Sequence, residues 1–572
     1  MGKRTALFCL LIVICFSLSA QTTFSSKLTA KPKKGSNVYG VVECQGKPLC
    51  GVAVSDGQEI ALTDKKGVYS FLSSKRYGYV FIILPSGYEI ETKNAVPQIW
   101  ANLDRETKEA ERHDFSLTMR NNDQHVMIAV TDIHIANKFD DIDQFKNVFM
   151  PRFREEVEKY RSKGLPVYSM CMGDTSFDRF WYQYYFSILD FIPLLEQVNY
   201  PVPIFHTTGN HDNDAATPQG EDMDFRSTEK YRSVFGPTFY SMNIGKIHYI
   251  MLDNIYYLNK PVETPTFPGL TGDHSYECHL NDEELTWLRK DLALVDKDTP
   301  IVVGMHGPAY IYVGTSKKIR TKFHGNELRS KEDYVNEFSE VLKDFREVHY
   351  VTGHSHMNAI CYGKDDTTKF PYIANTIEHN ITGVCGAWWM TYPYGGLSLA
   401  PDGGDSGFEV FPINDKHIEW YFVSNDQGCD KQFRVFDMNS VREIYRTYGD
   451  FKPMILNYKK RTDYAKIEDN MIMVNVFAWD PNWELHIYEN GTELVWKRVM
   501  AENPLYTWTY YIPHSSWSEK WKPKYGKDVR PHYFMCKAQK ADSTIEVVLK
   551  DTFGHVYKES VTRPKPFNRS MK

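Results

Sequence analysis

The sequence predicts an α/β protein in which a layered central domain lies between two β-rich domains. Three stretches of the chain, each with its own pattern, predict this arrangement. Residues 37–119 contain short β-branched runs separated by turn residues, which is typical of a small all-β domain. Residues 124–398 alternate apolar strand-like runs with helical stripes, which is typical of layered α/β domains. Residues 399–566 keep strand-like runs with turns such as Asn490-Gly491 but lose the alternation, which predicts a second β-rich domain.

The chain begins with the features of a secretory signal peptide. Lys3 and Arg4 precede an apolar run over residues 6–18, and small residues lead up to Ala20. We therefore expect a signal peptide over residues 1–20, followed by a polar leader over residues 21–36. The alternative is an uncleaved anchor, but the run is short for a membrane span of roughly 20 residues. The expected product is exported, either periplasmic or extracellular, and the mature chain is expected to have no transmembrane span.

Composition and charge narrow the classes of partner. Of the 572 residues, 42% are hydrophobic and 24% are charged, which is ordinary for a globular protein. The net charge is -6, and removal of Lys3 and Arg4 with residues 1–20 would change it to -8. An acidic chain lacks the counterion release that drives nonspecific binding to nucleic acids, so we expect no stable nucleic-acid partner. Cys44 and Cys50 flank a predicted turn, and both a disulfide and two unpaired thiols fit the sequence.

Individual elements follow from periodicity and end signals. In the N-terminal domain the predicted strands are 38–42, 52–54 and 68–71. In the central domain they are 125–131, 167–172, 202–207, 301–305 and 348–352. In the C-terminal domain they are 471–479, 484–488 and 544–549. A helical stripe is formed by Phe145, Phe149, Phe153 and Val157, with Pro151 indicating a kink or a late start. Asn281 and Glu284 have the spacing of a capping box.

Five polar motifs follow apolar runs of the central domain. They are Asp132-Ile133-His134, Gly173-Asp174, Gly209-Asn210-His211-Asp212, His306, and Gly353-His354-Ser355-His356. Each is expected at the carboxyl end of a strand, where open α/β sheets place ligands. Imidazole and carboxylate groups suit zinc, iron and manganese. A single strand-end histidine is more often structural, but chance does not explain the complete ordered set.

This set resembles the calcineurin-like metallophosphoesterases, whose motifs are D-x-H, G-D, G-N-H-D/E, a lone H and G-H-x-H. The match covers about residues 124–398, and the flanking regions resemble the β domains of a bacterial exported branch of that family. The resemblance implies an αββα core between two β-sandwich-like domains, the first of them transthyretin-like. It also implies two divalent or trivalent transition-metal ions (Mn, Zn or Fe) and in-line attack on phosphorus by a hydroxide that bridges them.

The resemblance assigns roles residue by residue. One metal would be held by Asp132, His134, Asp174 and His356. The second would be held by Asp174, Asn210, His306 and His354, with Asp174 as the bridge. His211 would face the substrate phosphate and could protonate the leaving oxygen, and Asp212 would orient its ring.

The sequence departs from related families near Asp174. Phe177 stands where purple acid phosphatases carry a metal-bound tyrosine, so no tyrosinate-to-iron colour is expected. Asp178-Arg179 comes one residue later than in protein Ser/Thr phosphatases, so Arg179 is only a candidate phosphate contact, with a surface salt bridge as the alternative. Trp388 and Trp389 could form a wall of the substrate pocket or pack at a domain junction. The remaining histidines considered are assigned to structure by default: His206, His248, His274, His324 and His379.

The expected function is hydrolysis of phosphate esters outside the cytoplasm, with diesters favoured. The substrate is expected to be a small molecule or a glycan or lipid phosphate ester. Three alternatives remain: a phosphomonoesterase with the same site, a glycan-binding or scaffold protein with a vestigial site, and a metal-dependent nuclease, which would need a basic groove. The oligomeric state, the metals and the substrate do not follow from the sequence.

Overall fold

A computed structural model of the chain describes residues 24–309, 331–366, 370–384, 399–447, 462–511 and 530–568. The predicted signal peptide over residues 1–20 lies outside the described residues, as do Trp388, Trp389 and His324. Within the described ranges, no helix is both long enough and apolar enough to cross a membrane.

The N-terminal domain is a pair of small sheets. Its strands are β1 (Val38–Cys44), β2 (Lys47–Pro48), β3 (Ala53–Ser55), β4 (Ile60–Leu62), β5 (Val68–Phe71), β6 (Tyr79–Ile82), β7 (Tyr88–Ile90), β8 (Thr92–Lys93), β9 (Val96–Pro97), β10 (Trp100–Asn102), β11 (Glu111–Arg112) and β12 (Phe115–Met119). One sheet has the order β11-β1-β12-β7, with β2 and β5 also paired to β1, and the other has the order β10-β6-β3-β4. Cys44 is buried and Cys50 is exposed, and both are free thiols. Of the two possibilities that fit the sequence, the structure has the unpaired thiols and not the disulfide.

The central domain contains two six-stranded sheets. Its strands are β13 (Gln124–Val130), β14 (Val167–Met172), β15 (Ile204–Thr207), β16 (Tyr240–Ile244), β17 (Ile247–Met251), β18 (Ile255–Tyr257), β19 (Tyr276–Cys278), β20 (Ile301–Gly304), β21 (Val348–Thr352), β22 (Ala359–Tyr362), β23 (Thr376–Asn380), β24 (Gly407–Asn414), β25 (His417–Ile418) and β26 (Tyr421–Ser424). The first sheet has the order β15-β14-β13-β24-β25, with β26 on β24, and the second has the order β16-β17-β20-β21-β23-β22. The pairs β13·β14, β14·β15, β17·β20 and β20·β21 are parallel, so their carboxyl ends lie at the same edges of the sheets.

Helices cover the outer faces of these sheets. They are α1 (Asp141–Gln144), α2 (Met150–Arg161), α3 (Trp181–Tyr184), α4 (Ile188–Gln197), α5 (Met223–Ser227), α6 (Glu229–Phe235), α7 (Asp282–Leu292) and α8 (Lys331–Leu342). Phe153 of α2 packs on Phe408 of the first sheet with ring centroids 5.7 Å apart. Phe338 of α8 packs on Tyr350 of the second sheet at 5.1 Å. The two sheets face each other, since Nε2 of His125 on β13 lies 2.7 Å from the hydroxyl of Tyr249 on β17. The order of layers is the expected αββα.

Two predicted helix features take a different form in the structure. The stripe of phenylalanines is helical, but Phe145–Phe149 forms a wide π-helical turn between α1 and α2. Pro151 lies in the first turn of α2, where its missing N–H costs no hydrogen bond. Asn281 caps α7 by accepting from the backbone N–H of Glu284 at 2.8 Å. Oε1 of Glu284 instead accepts from the N–H of Asp253 at 2.8 Å, so only half of the predicted capping box forms.

The C-terminal domain consists of two four-stranded sheets. Its strands are β27 (Phe433–Asp437), β28 (Met471–Val476), β29 (Glu484–Glu489), β30 (Thr492–Glu493), β31 (Trp496–Ala501), β32 (Arg530–Lys537), β33 (Thr544–Lys550) and β34 (Val556–Thr562), and its helices are α9 (Met438–Thr447) and α10 (Pro504–Tyr506). The sheet orders are β27-β28-β32-β31 and β30-β29-β33-β34.

The boundary between the central and C-terminal domains differs from the predicted one. We expected the last domain to begin at residue 399, but β24 pairs with β13 along the middle of the first central sheet. The apolar run of β24 fits a strand of either domain, so its sequence does not reveal which sheet it joins. A buried ion pair connects the two domains: the guanidinium of Arg434, in β27 of the C-terminal domain, lies 2.6 Å from the carboxylate of Asp405, just before β24.

Candidate metal centre

The seven predicted ligands follow five parallel strands. Asp132 and His134 follow β13, Asp174 follows β14, Asn210 follows β15, His306 follows β20, and His354 and His356 follow β21. The structure brings these side chains together at the carboxyl ends of the two sheets, and six of the seven are buried. This placement is the one that the motif positions predict.

The backbone at the ligands is unusual. Five non-glycine ligands have left-handed backbone angles: Asp132 (φ 50°), His134 (φ 52°), Asp174 (φ 51°), His354 (φ 67°) and His356 (φ 56°). Such a conformation costs of order 1–3 kcal/mol at each residue and is concentrated at functional sites. The sharp turns that result direct the side chains of consecutive motifs toward the same point.

Two glycines allow the ligand loops to approach one another. A Cβ on Gly209 would lie 2.1 Å from the backbone nitrogen of Asp174, and one on Gly353 would lie 1.9 Å from Oγ1 of Thr131. Neither contact is possible without moving backbone or a ligand loop, so both motifs require glycine.

A first ligand cluster is formed by Asp132, His134, Asp174 and His356. One ligand atom from each lies within 4.8 Å of the others. Nε2 of His356 lies 3.0 Å from Nε2 of His134 and 3.0 Å from Oδ1 of Asp132. The other carboxylate oxygen of Asp132 accepts from Oγ1 of Thr131 and from the N–H of His354, both at 2.8 Å. These two bonds leave Oδ1 directed into the cluster.

A second ligand cluster shares Asp174 with the first. It consists of Asp174, His306 and His354. Nε2 of His306 lies 3.2 Å from Oδ2 of Asp174 and 3.1 Å from Oδ1 of Asn210. Nδ1 of His306 donates to the carbonyl oxygen of Met172 at 2.7 Å, which leaves the Nε2 lone pair for a cation. Asp174 therefore has the position expected of a bridging carboxylate.

The residues fit metal ions in chemistry and in charge. Imidazole nitrogens and carboxylate oxygens converge in a buried volume, where such groups need a cation between them. Burial would lower the pKa of His306, but the charge of Asp174 raises it to about 9. Burial would raise the pKa of Asp174, but His306 and His211 hold it far below its ordinary value. The polypeptide thus creates an environment that favours positive charge at the point where the ligand atoms meet.

His211 lies beside the ligands, and its partner is not the expected one. Its Nδ1 donates to Oδ1 of Asp178 at 2.7 Å. Asp212 was expected to orient this ring, but its carboxylate accepts from the backbone N–H groups of Gly209 and Ser176, both at 3.0 Å. The prediction for Asp212 is therefore wrong: its side chain turns back into the ligand loops, and Asp178 sets the tautomer of His211.

Comparisons with known proteins bear on the identity of this centre. Three family models match the chain: N terminal of calcineurin-like phosphoesterase over residues 36–120, calcineurin-like phosphoesterase over residues 126–358, and C terminal of calcineurin-like phosphoesterase over residues 378–557. The chain belongs to the calcineurin-like phosphoesterase family. The three matches confirm the predicted family and its two companion domains.

Solved structures similar to this calcineurin-like phosphoesterase include a dimetal phosphatase from Danio rerio and PhoD. The first has 12% sequence identity and a TM-score of 0.32, and the match covers 53% of this chain and 97% of that one. PhoD has 9% identity and a TM-score of 0.29, and the match covers 66% of this chain and 83% of that one. A comparison with curated protein sequences finds no match.

An apolar wall adjoins the ligand clusters of this phosphoesterase. The Phe177 ring lies 4.1 Å from the ring of His211 and 5.0 Å from that of His134, measured between centroids. It continues into Phe180 at 4.8 Å. The guanidinium of Arg179 lies over the ring of Phe267 at 5.9 Å. Arg179 therefore contacts this wall, and among the described residues it forms neither the surface salt bridge that was the alternative nor an ion pair with a ligand.

His274 belongs to the site, although no motif in the sequence includes it. Its Nδ1 lies 2.5 Å from Oδ2 of Asp178, and its ring stacks on that of His211 at 4.8 Å with an angle of 11° between planes. Asp178, His211 and His274 form a third cluster of potential metal-binding atoms. The default assignment to structure is therefore incomplete for His274.

The other described histidines of that set are structural. His248 contacts Asp291 at 2.9 Å, His379 contacts His349 at 2.9 Å, and His206 packs on Phe235 at 3.9 Å between ring centroids. All three lie within strands and away from the ligand loops. For Asp178 the signal in the sequence is the Asp178-Arg179 pair, which resembles the Asp-Arg pair of protein Ser/Thr phosphatases. His274 has no comparable signal because a loop brings it to Asp178 from far along the chain.

Proposed function

We propose that this chain is an exported phosphodiesterase that uses two transition-metal ions to hydrolyse a small-molecule, glycan or lipid phosphate diester. The observation that carries the choice of diesters is the charge around the ligands. Within the described part of the chain, the ligand carboxylates form ion pairs with histidines alone, and neither lysine nor arginine takes part. A monoester brings a dianion and needs further cations, whereas a diester brings one charge.

The ligand residues form two groups, one for each metal ion, and the groups share Asp174. Asp132, His134 and His356 would hold one ion, Asn210, His306 and His354 the other, and Asp174 both. Bound there, two transition-metal ions supply Lewis-acid chemistry, polarising phosphoryl oxygens and making a hydroxide available near neutral pH. The buried carboxylates and the hydrogen bonds to Asp132 from the Thr131 hydroxyl and the His354 N–H fix the ligand positions before substrate arrives, which is the preorganisation that electrostatic catalysis needs.

His211 is the residue proposed to act on the substrate. Burial lowers its pKa to about 3 in the ligand-free chain, although the charge of Asp174 acts in the opposite direction. Because Nδ1 donates to Asp178, Nε2 at the other side of the ring is left for the substrate. In the neutral ring Nε2 has a lone pair and no proton, so this role requires the protonated imidazolium, which the charges of Asp174 and Asp178 favour. We assign its Nε2–H to a phosphoryl oxygen or to the leaving oxygen, which receives the proton.

The apolar wall supports an organic substituent on the phosphate. Phe177 and Phe180 are almost fully buried and extend from the ligand histidines toward Phe267. An ester group can pack against such a wall, and a diester brings a second such group, which a monoester lacks. Lys138 and Arg179 both lie at this wall: Nζ of Lys138 is 4.0 Å from the centroid of the Phe180 ring, and the guanidinium of Arg179 is 5.9 Å from that of Phe267. A monoesterase would have to recruit one of these cations from its ring.

Catalysis is favoured over a vestigial binding role because the ligand set is complete. Both clusters retain every residue type that the family pattern requires, and the strained backbone that presents them is intact. A scaffold protein has no reason to keep five residues in a costly conformation around converging lone pairs. The absence of turnover with metals bound would revive the binding role.

Export is part of the proposal and is supported by Lys3, Arg4 and the apolar run that follows them. N-terminal sequencing of protein recovered from outside the cytoplasm should begin at Gln21. A chain that retains Met1 and remains in a membrane fraction would contradict cleavage after Ala20.

The decisive experiment compares bis(p-nitrophenyl) phosphate with p-nitrophenyl phosphate. The protein is stripped by a chelator and refilled with Mn²⁺, Zn²⁺ or Fe²⁺, and bound metal is measured in parallel. We expect metal-dependent turnover with a higher kcat/KM for the diester. Preference for the monoester would replace the proposal by a phosphomonoesterase, and two bound metals without turnover of either ester would favour the binding role.

A further inference from the structure

Asp178 is shared by two imidazoles. Oδ1 accepts from Nδ1 of His211 at 2.7 Å, and Oδ2 lies 2.5 Å from Nδ1 of His274. The hydroxyl of Tyr257 also donates to Oδ2, at 3.2 Å. Asp178 is fully buried, and burial would raise its pKa, but His274 and His211 hold the pKa well below its ordinary value. One buried carboxylate thus has each oxygen committed to a different part of the chain.

The second imidazole also covers the first. The rings of His211 and His274 are nearly parallel, with 11° between planes and 4.8 Å between centroids. Phe177 meets the ring of His211 edge-on at 4.1 Å. His211 is therefore held at Nδ1 by Asp178 and against its ring by His274 and Phe177. These contacts leave the His211 ring little freedom to move. A group that acts in a transition state must be held in position in this way.

A single hairpin delivers both groups that bind Oδ2. Tyr257 ends β18 and His274 lies just before β19, and these two strands pair with Tyr257 opposite Tyr276. The N–H of His274 donates to Oδ1 of Asn259 at 3.1 Å, and His274 has a left-handed backbone with φ 59°. A Cβ on Gly272 would lie 2.4 Å from the carbonyl oxygen of Asn259, so the loop closes tightly at this point. The hairpin maintains a costly conformation that places His274 against Asp178.

We propose that His274 and Tyr257 are positioning residues that fix the catalytic imidazole of His211 through the shared carboxylate of Asp178. They hold Oδ2, so that Oδ1 faces Nδ1 of His211 in one orientation. This inference rests on the proposed function of His211 and extends the centre to the hairpin over residues 255–278. Outer partners that hold the carboxylate of a functional histidine typically change activity by about 10- to 100-fold when removed.

A comparison of two substitutions at His274 separates positioning from direct contact with substrate. His274→Asn keeps a side-chain N–H near the place of Nδ1 but removes Nε2, and His274→Ala removes both. We expect kcat of His274→Ala to fall about 10- to 100-fold with little change in KM and with metal content retained, and His274→Asn to recover most of that loss. Equal losses in the two variants would overturn the proposal, because they would assign the effect to Nε2 or to the ring.

A double-mutant cycle tests whether His274 acts through His211. If it does, His274→Ala has no further effect on kcat when His211→Ala is already present. Losses that multiply in the double variant would overturn the proposal, since they would show an independent role. His248→Ala is the matched control, because its imidazole contacts a buried carboxylate, Asp291, at 2.9 Å outside the ligand clusters. We expect that control to keep kcat.

A spectroscopic readout keeps the inference testable without turnover. In zinc-loaded protein with ¹⁵N-labelled histidine, the ring nitrogens of His211 should report an Nδ1–H that is bonded to carboxylate. We expect this signal to shift in His274→Ala and in Tyr257→Phe, which removes only one hydroxyl, and to persist in His248→Ala. An unchanged His211 signal in the first two variants would overturn the positioning role. A wild-type protein that hydrolyses no phosphate ester would contradict the proposed function alone, since the spectrum still decides the role of His274.

Discussion

Oδ2 of Asp174 lies 3.2 Å from Nε2 of His306, while the same carboxylate belongs to the cluster that contains His134. No other described residue is a member of both ligand clusters. Its position after β14, between the loops of the two sheets, lets one side chain neutralise both groups of imidazoles. The two clusters are therefore expected to fill and empty together.

Asp174→Asn should abolish turnover and weaken binding of both metals. An amide keeps the size of the carboxylate but removes the charge that balances His306 and His134. Metal content by mass spectrometry should fall below one ion per chain, and ester hydrolysis should be undetectable. Asp291→Asn is the matched control, because it also removes a buried carboxylate that contacts a histidine. Unchanged activity in Asp174→Asn would refute the assignment of the centre.

Asp178→Asn and Asp212→Asn should separate catalysis from loop stability. The first removes the acceptor for Nδ1 of His211 and should lower kcat by about 10²- to 10⁴-fold with metals retained. The second weakens the acceptor for backbone N–H groups of both ligand loops and should cost about 1–3 kcal/mol of stability. Steady-state kinetics and thermal melts measure the two effects. A larger loss of kcat in Asp212→Asn would restore the role first expected of Asp212.

The metal ligands could be predicted from the sequence, but the residues that contact His211 could not. Each metal motif directly follows an apolar run, and parallel strands bring such positions to one edge, so the assembly of Asp132 with His356 was predictable. The pairing of His211 with Asp178 depends on how two loops cross, and local periodicity carries no information about that. His274 is still more remote, since a hairpin insertion delivers it. Likewise, the apolar pattern of β24 does not distinguish one sheet from another, which explains the misplaced boundary at residue 398.

Chelation should destabilise the protein, and refilling should restore it. Metals that bind the folded chain stabilise it by about 2.7 kcal/mol when free metal is 100 times Kd. For a domain of this size that corresponds to a rise in Tm of roughly 5–10 °C. Differential scanning fluorimetry with and without Mn²⁺ or Zn²⁺ measures the shift. Asp174→Asn should show a much smaller rise, and an equal rise in that variant would place the stabilising metal elsewhere.

Glu284 should make stability fall as pH rises. Its side chain is fully buried, and burial together with the charge of Asp253 raises its pKa well above the ordinary value. The folded state therefore keeps the proton that the unfolded state loses near pH 4.5. The contribution of neutral Glu284 is fully present below that pH and is lost above it, by about 1.4 kcal/mol per pH unit until the folded pKa is reached.

Glu284→Gln should remove this dependence, so its Tm relative to wild type should increase from pH 4.5 to pH 8. Glu283→Gln is the matched control, since Glu283 is half-exposed and pairs with Arg76 at 2.7 Å. Parallel Tm curves for wild type and Glu284→Gln would show that Glu284 is ionised in the folded protein and would contradict this prediction.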